Sequence, residues 1–172
     1  MSVGAAEQDA AAYVLLERIR WGGAPAACPH CGAVGGCSYL PPRDGLTRPT
    51  RTGALSARRV WRCRACRRQF SVLTGTVLAG SRVPARVLVA VLTALAAGGP
   101  SRAREVAAAH GLTAEATRHL LRRVDAACSA TGSGDPFAAV LGAAGGDELR
   151  DRTPARRRPR RQVGPSADYG TG

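Results

Sequence analysis

Lysine is absent from this chain: all 25 basic residues among its 172 are arginine. That bias, with the abundance of alanine and glycine, matches the residue usage of a GC-rich genome and carries no chemistry of its own. Aromatic residues are scarce too, at 4%, and much of the 45% hydrophobic content is alanine. A core built from such side chains is thin, so a metal or covalent staple is expected. The longest apolar run, Val87 to Ala97 with one threonine inside it, is too short for a bilayer, which asks for about 20 residues. Glu7 and Asp9 stand where a secretory signal would carry positive charge. The expectation is a cytoplasmic protein, not a membrane one, whose thiols stay reduced, which excludes a disulfide framework.

The net charge is +13, and it is unevenly placed. Residues 1–42 sum to −1, residues 43–123 to +13 and residues 124–172 to +1. Such concentration on one stretch is the electrostatic footprint of a polyanion partner.

That stretch begins beside two short cysteine pairs, Cys28-Pro-His-Cys31 and Cys63-Arg-Ala-Cys66. Two residues between thiols make a turn narrow enough for both sulfurs to reach one ion. Two such turns supply a closed tetrahedral shell, which predicts one structural Zn²⁺ held by Cys28, Cys31, Cys63 and Cys66. The 31 residues between Cys31 and Cys63 exceed the roughly 15–20 of compact ribbons. Ribbon geometry tolerates this, because extra residues extend a hairpin away from the metal and loop-closure entropy grows slowly with length. Cys37 reads as a small apolar filler on the first ribbon strand and Cys128 as a bystander. His30, inside the first turn, is left as a phosphate contact at most. Trp61 and Phe70 flank the second pair and are expected to shield the metal. Arg62, Arg64, Arg67 and Arg68 surround it, where they can offset the formal −2 of a four-thiolate zinc centre and touch phosphates.

The fold class expected is small α+β: a zinc-ribbon β module with an N-terminal helix, then a helix-turn-helix-like helical bundle and a disordered basic tail. In domains, residues 1–9 are frayed, 10–80 form the ribbon with its leading helix, 81–128 the helical domain, and 129–172 the tail. Apolar spacing predicts the leading helix from Ala10 to Trp21, stopped by Gly22-Gly23. The arginine-rich loop from Arg43 to Arg59 should be mobile and exposed, and Phe70 to Val72 should leave the second cysteine pair as a strand. Pro84 opens a buried helix, Arg86 to Ala97, ended by Gly98-Gly99-Pro100. Ser101 can cap a short second helix to Ala109, and Thr113 a third from Ala114 to about Ala127. On the third, Thr117, Leu120, Leu121 and Val124 face inward. Ala114, Glu115, Arg118, His119 and Arg122 are left outward, with Arg123 beside them as a further DNA contact. The tail carries seven arginines between Arg150 and Arg161, a block that would touch phosphates without reading sequence.

The order of these parts resembles the N-terminal portion of bacterial insertion-sequence transposases that begin with a zinc ribbon. The similar stretches are Arg20-Trp21 leading into Cys28-Pro-His-Cys31-Gly32, and Trp61-Arg-Cys63-Arg-Ala-Cys66-Arg-Arg-Gln-Phe70-Ser-Val-Leu-Thr-Gly75-Thr. Pro84 opening an apolar helix and Gly111-Leu-Thr113 before Leu120-Leu-Arg-Arg-Val124 complete the likeness, over about residues 10–127. The resemblance implies binding of double-stranded element-end DNA. In that family a following ribonuclease-H-like domain cuts and joins strands, holding two metal ions with carboxylates. After Cys128 this chain offers only Asp135, Asp147, Glu148, Asp151 and Asp168 in a glycine- and arginine-rich stretch. The expectation is therefore a truncated transposase without strand-transfer catalysis and with no catalytic residues. A second copy of the chain, or a full-length transposase, stands as a further partner. His110, where that pattern would carry an aliphatic residue, is expected to loosen the helical packing. A transcriptional regulator or transposition repressor using the same module remains an alternative. So do an intact enzyme whose activity would depend on Asp147 and a zinc-ribbon protein-interaction module.

Overall fold

The computed structural model describes residues 3–50 and 53–130, together with Asp135 and Phe137. The described residues form a small α+β fold: α1 (Val3–Trp21), β1 (Cys37–Leu40), β2 (Arg48–Pro49), β3 (Leu55–Ser56), β4 (Val60–Cys63), β5 (Gln69–Phe70), α2 (Ala85–Ala109) and α3 (Ala114–Ser129). Apart from Ser129, Ala130, Asp135 and Phe137, the expected tail lies outside the described residues.

Helix α1 ends where Gly22 adopts φ 59° and its N–H reaches the Arg18 carbonyl at 2.7 Å, a left-handed stop that glycine accepts without strain. At its other end the helix runs past the expected Ala10 start to Val3, so residues 3–9 are helical and not frayed. The cause is tertiary. Asp9 is buried, accepts the Arg86 N–H at 2.9 Å, and pairs with the Arg86 guanidinium at 2.7 Å. One carboxylate thereby satisfies a free N–H in the first turn of α2, where anions are favoured, and ties the two helices together.

The ribbon sheet has the order β1-β4-β5, all antiparallel. Its register sets Cys37 opposite Cys63 and Tyr39 opposite Trp61, then Trp61 opposite Phe70 and Arg62 opposite Gln69. Because side chains alternate across a sheet, Cys37, Tyr39, Trp61 and Cys63 share one face, and Ser38, Leu40 and Arg62 share the other. The long insertion is more ordered than a mobile loop. It carries the two-stranded β2–β3 hairpin, and Asp44 accepts from the Leu46 and Thr47 N–H groups and the Thr47 hydroxyl at 2.6–3.1 Å. Arg48 donates to the Leu40 carbonyl and fastens the hairpin to β1.

The strand after the second cysteine pair stops at Phe70. Ser71, Val72 and Leu73 are all buried, which strict alternation cannot give, and the chain turns here through Ser71 to Thr74. Arg20 holds this turn, donating to the Val72 carbonyl and to the Thr74 carbonyl at 2.7 Å. Val72, Leu73 and Leu78 then enter one core with Tyr13 and Leu16 of α1, Leu88 and Val91 of α2, and Leu120 and Val124 of α3. Each such aliphatic side chain contributes about 1.5–3 kcal/mol on burial. The boundary expected at residues 80–81 therefore passes through shared packing.

Helix α2 is two limbs. Gly98 (φ −146°) and Gly99 (φ 67°, ψ −169°) break it, and Pro100 opens the second limb with its fixed φ and missing N–H. Gly99 thus stands in the cap position expected of Ser101, whose hydroxyl has no partner among the described residues. Thr113 does cap α3, accepting the Ala116 N–H at 3.2 Å. On α3, Thr117, Leu120 and Val124 are buried and Leu121 packs against the core, as the spacing predicts. His110 is exposed at the end of α2.

Candidate metal centre and its basic surround

The two cysteine turns meet face to face. Cys28 Sγ lies 3.6 Å from Cys66 Sγ, Cys31 Sγ lies 3.7 Å from Cys63 Sγ, and all four sulfurs fall within 4.8 Å of one another. A tetrahedron of thiolates about 2.3 Å from a central zinc has edges of about 3.8 Å, so the spacing is that of a zinc shell. Backbone bonds shape each turn. Gly32 N–H reaches the Cys28 carbonyl at 2.9 Å, Cys28 N–H the Ala33 carbonyl at 2.9 Å, and Cys63 N–H the Arg68 carbonyl at 3.0 Å.

The sulfurs sit at different acidities. The Cys66 N–H directed at Cys63 helps bring that thiol down to about 6. At Cys28, burial raises the thiol, but N–H groups of His30 and Cys31 outweigh it and the net direction is down. At Cys31 the Ala33 N–H favours the thiolate, yet burial and the three neighbouring sulfurs push the group up to about 12. Four negative sulfurs this close repel, and a divalent cation among them removes that conflict. Soft sulfur donors in tetrahedral array suit Zn²⁺. The donor set therefore fits one structural zinc ion.

Cys37 is not part of this group. It packs half-buried behind Cys63, where burial first and then the neighbouring sulfurs push it up to about 11. Phe70 shields the centre, 4% exposed against Cys28 and Cys63. Trp61 lies at the edge of the same cluster, 5.4 Å from the Trp21 ring and 5.7 Å from Tyr39. Its indole N–H donates to Glu17 Oε1 at 2.8 Å, and Arg59 Nε donates to both Glu17 oxygens at 3.0 Å. Glu17 and Arg59, which spacing alone did not single out, thus join α1 to the ribbon. His30 is exposed, 3.4 Å from the Gln69 carbonyl.

The arginines divide into two sets. Arg20, Arg48, Arg59, Arg86, Arg102 and Arg123 each have a protein acceptor. Arg123, expected beside Arg118, His119 and Arg122 as a DNA contact, is half-buried and donates to the Ala79 carbonyl at 2.7 Å, pinning α3 to the segment before α2. By contrast Arg62, Arg64, Arg67, Arg68, Arg118 and Arg122 are exposed, as are Arg18, Arg43, Arg82 and Arg104, and none of their guanidinium groups has a partner among the described residues. His119 is exposed as well.

Arg67 differs from every other non-glycine residue described in having a positive φ, 60°. It follows Cys66 as Gly32 (φ 74°) follows Cys31. Glycine takes that left-handed conformation freely, whereas a residue with a Cβ loses about 1–2 kcal/mol.

Residues 7–69 match the transposase zinc-ribbon domain. The match spans most of α1, both cysteine turns and the long insertion, and it stops at β5. Over this stretch the likeness to insertion-sequence transposases with an N-terminal zinc ribbon holds. No curated protein and no solved structure matches the chain.

Proposed function

We propose that this transposase-type zinc ribbon docks the chain on double-stranded DNA, the element end being its target, while strand cutting is left to an intact transposase. Arg62, Arg64, Arg67 and Arg68 fix position on the phosphate backbone. The second limb of α2 and α3 act as a helix-turn-helix, with Arg118, His119 and Arg122 of α3 reading base edges in the major groove. Arg123, engaged with Ala79, supports that helix from behind.

The observation that carries this reading is the division of the arginines. Arg20, Arg48, Arg59, Arg86 and Arg123 are used in the protein's packing, and those around the second cysteine turn and on the outer face of α3 are unused by the fold. An exposed cation without an internal partner is available to a phosphate, and six of them occupy two short stretches of chain. The sequence-level excess of positive charge in residues 43–123 agrees with that placement. No helix among the described residues is long and apolar enough to cross a bilayer.

The test is fluorescence anisotropy of the zinc-loaded chain on a labelled duplex through a salt series. Neutralisation of about six phosphates makes log affinity fall with log salt at a slope near −5. Arg118→Ala and Arg122→Ala should lose about 1–3 kcal/mol of discrimination between an element-end duplex and a scrambled one. A slope near zero removes the proposal.

A further inference from the structure

A cleft of about 330 Å³ opens on the outer face of the ribbon sheet, lined by Ser38, Leu40, Arg62, Cys63, Arg64 and Arg67. Its floor follows from the strand register: Ser38 lies opposite Arg62 across β1 and β4, on the face opposite Trp61, and Cys63 at the end of β4 borders it. Its wall is the second cysteine turn, which supplies Arg64 and Arg67. Arg64 is held there by its own N–H, bonded to the Gly36 carbonyl at 2.8 Å. Three arginines therefore border one small cleft, and none of their guanidinium groups has an acceptor among the described residues.

We infer that this cleft seats a single phosphate of the DNA backbone, bound by the guanidinium groups of Arg62, Arg64 and Arg67 with the Ser38 hydroxyl as a fourth donor. The inference rests on the reading of the chain as a DNA-binding module and names where one backbone contact is made. Planar guanidinium forks match phosphate oxygens, and clustered cations that repel one another in the free protein gain most from an anion between them. The backbone of Arg67 is the independent observation. The first cysteine turn places glycine at the corresponding position, while the second keeps a left-handed arginine. Backbone strain of this kind clusters at ligand clamps, where the side chain's task outweighs the conformational penalty. Leu40 and the aliphatic arms of the arginines give the cleft apolar walls that strengthen charge pairing inside it. Because the wall is one of the two cysteine turns, the seat exists only while that turn is held, and zinc organises it.

Arg67→Gly tests this directly, since it removes the guanidinium and also relieves the backbone, so loss of folding cannot account for loss of binding. In the zinc-loaded chain the variant should retain its metal and melt no lower than the parent. It should bind duplex DNA roughly three- to tenfold more weakly, with a salt slope shallower by about 0.9. Arg64→Ala and Ser38→Ala should move the same way, Ser38→Ala by the smaller amount. Arg18→Ala, on the exposed side of α1, removes the same charge away from the cleft and should change the slope less. Wild-type affinity and slope in Arg67→Gly, beside a steep wild-type salt dependence, overturn the seat and leave DNA binding standing. A wild-type chain without salt-dependent DNA binding overturns both. Calorimetric titration with inorganic phosphate alone separates the sources: submillimolar saturation that Arg67→Gly abolishes assigns the cleft to free phosphate and overturns the backbone assignment.

Discussion

Replacing Glu17 with alanine is the sharpest probe of how the ribbon and the helices are joined. The carboxylate side chain is 10% exposed and Arg59 is 24% exposed. The change removes both Arg59 bonds at 3.0 Å and the Trp61 indole bond at 2.8 Å. Breaking a fully buried ion pair costs about 3–5 kcal/mol. Here Arg59 still reaches water and keeps its place 4.1 Å from the Tyr39 ring centre, so that part is smaller. The Trp61 N–H loses its acceptor in a part-buried bond, and an orphaned buried donor costs about 1–3 kcal/mol. Together a loss of about 2–3 kcal/mol is expected, or roughly 8–12 °C in melting temperature for a fold of this size. Glu17→Gln should lose about half as much, because its amide oxygen can still accept from Trp61. Chemical denaturation of the zinc-loaded chain gives the values. A cycle with Arg59→Ala should return a coupling of about 1–2 kcal/mol. Metal content should be unchanged in every variant. A Glu17→Ala loss below about 0.5 kcal/mol would refute the reasoning, since α1 and β4 would then be held by something else.

Three further outcomes are expected. Arg67→Gly should raise stability by about 0.5–1 kcal/mol, the relief of left-handed strain less the extra freedom of glycine in the unfolded chain, as read by denaturation. Leu88→Ala should cost about 3–4 kcal/mol, because the side chain is fully buried in the core shared by α1, α2 and α3. The Thr47 hydroxyl and N–H hold the Asp44 carboxyl below its usual range. A group depressed in the folded state stabilises above its ordinary value and loses that contribution as pH falls through the folded one. The protection of the Leu46 and Thr47 amides, measured against their intrinsic exchange rates, should therefore fall in acid, and Asp44→Asn should remove much of that pH dependence.

Local chemistry made part of this protein readable from its residues. Two thiols per tight turn imply a metal shell whatever the rest of the chain does, and the sulfur spacing bears this out. The Gly22 stop and the Thr113 cap are likewise decided within a few residues. The inward set on α3 follows from helical period alone. What escaped depends on partners far along the chain. The first turns of α1 contribute buried Asp9 to Arg86, 77 positions away. The turn at Ser71–Thr74 replaces an expected strand because Arg20 takes two of its carbonyls. The 43–59 segment has the composition of a loose loop, and its hairpin is held by Asp44 and by Arg48 reaching back to β1. Arg123 shares its charge with Arg122 and differs only in facing Ala79. Ser38 carried no signal in sequence, since its role appears only once β1 is paired with β4.

Metal content of the purified chain and of two cysteine variants bears most directly on all of this. One Zn²⁺ per chain is expected in the parent and in Cys37→Ser, with four sulfur ligands about 2.3 Å from the metal by X-ray absorption. Cys63→Ser should lose the ion and the cooperative unfolding of the ribbon with it. A parent chain that binds no zinc, or a Cys63→Ser variant that keeps its full complement, contradicts the tetrathiolate centre on which the basic surface is built.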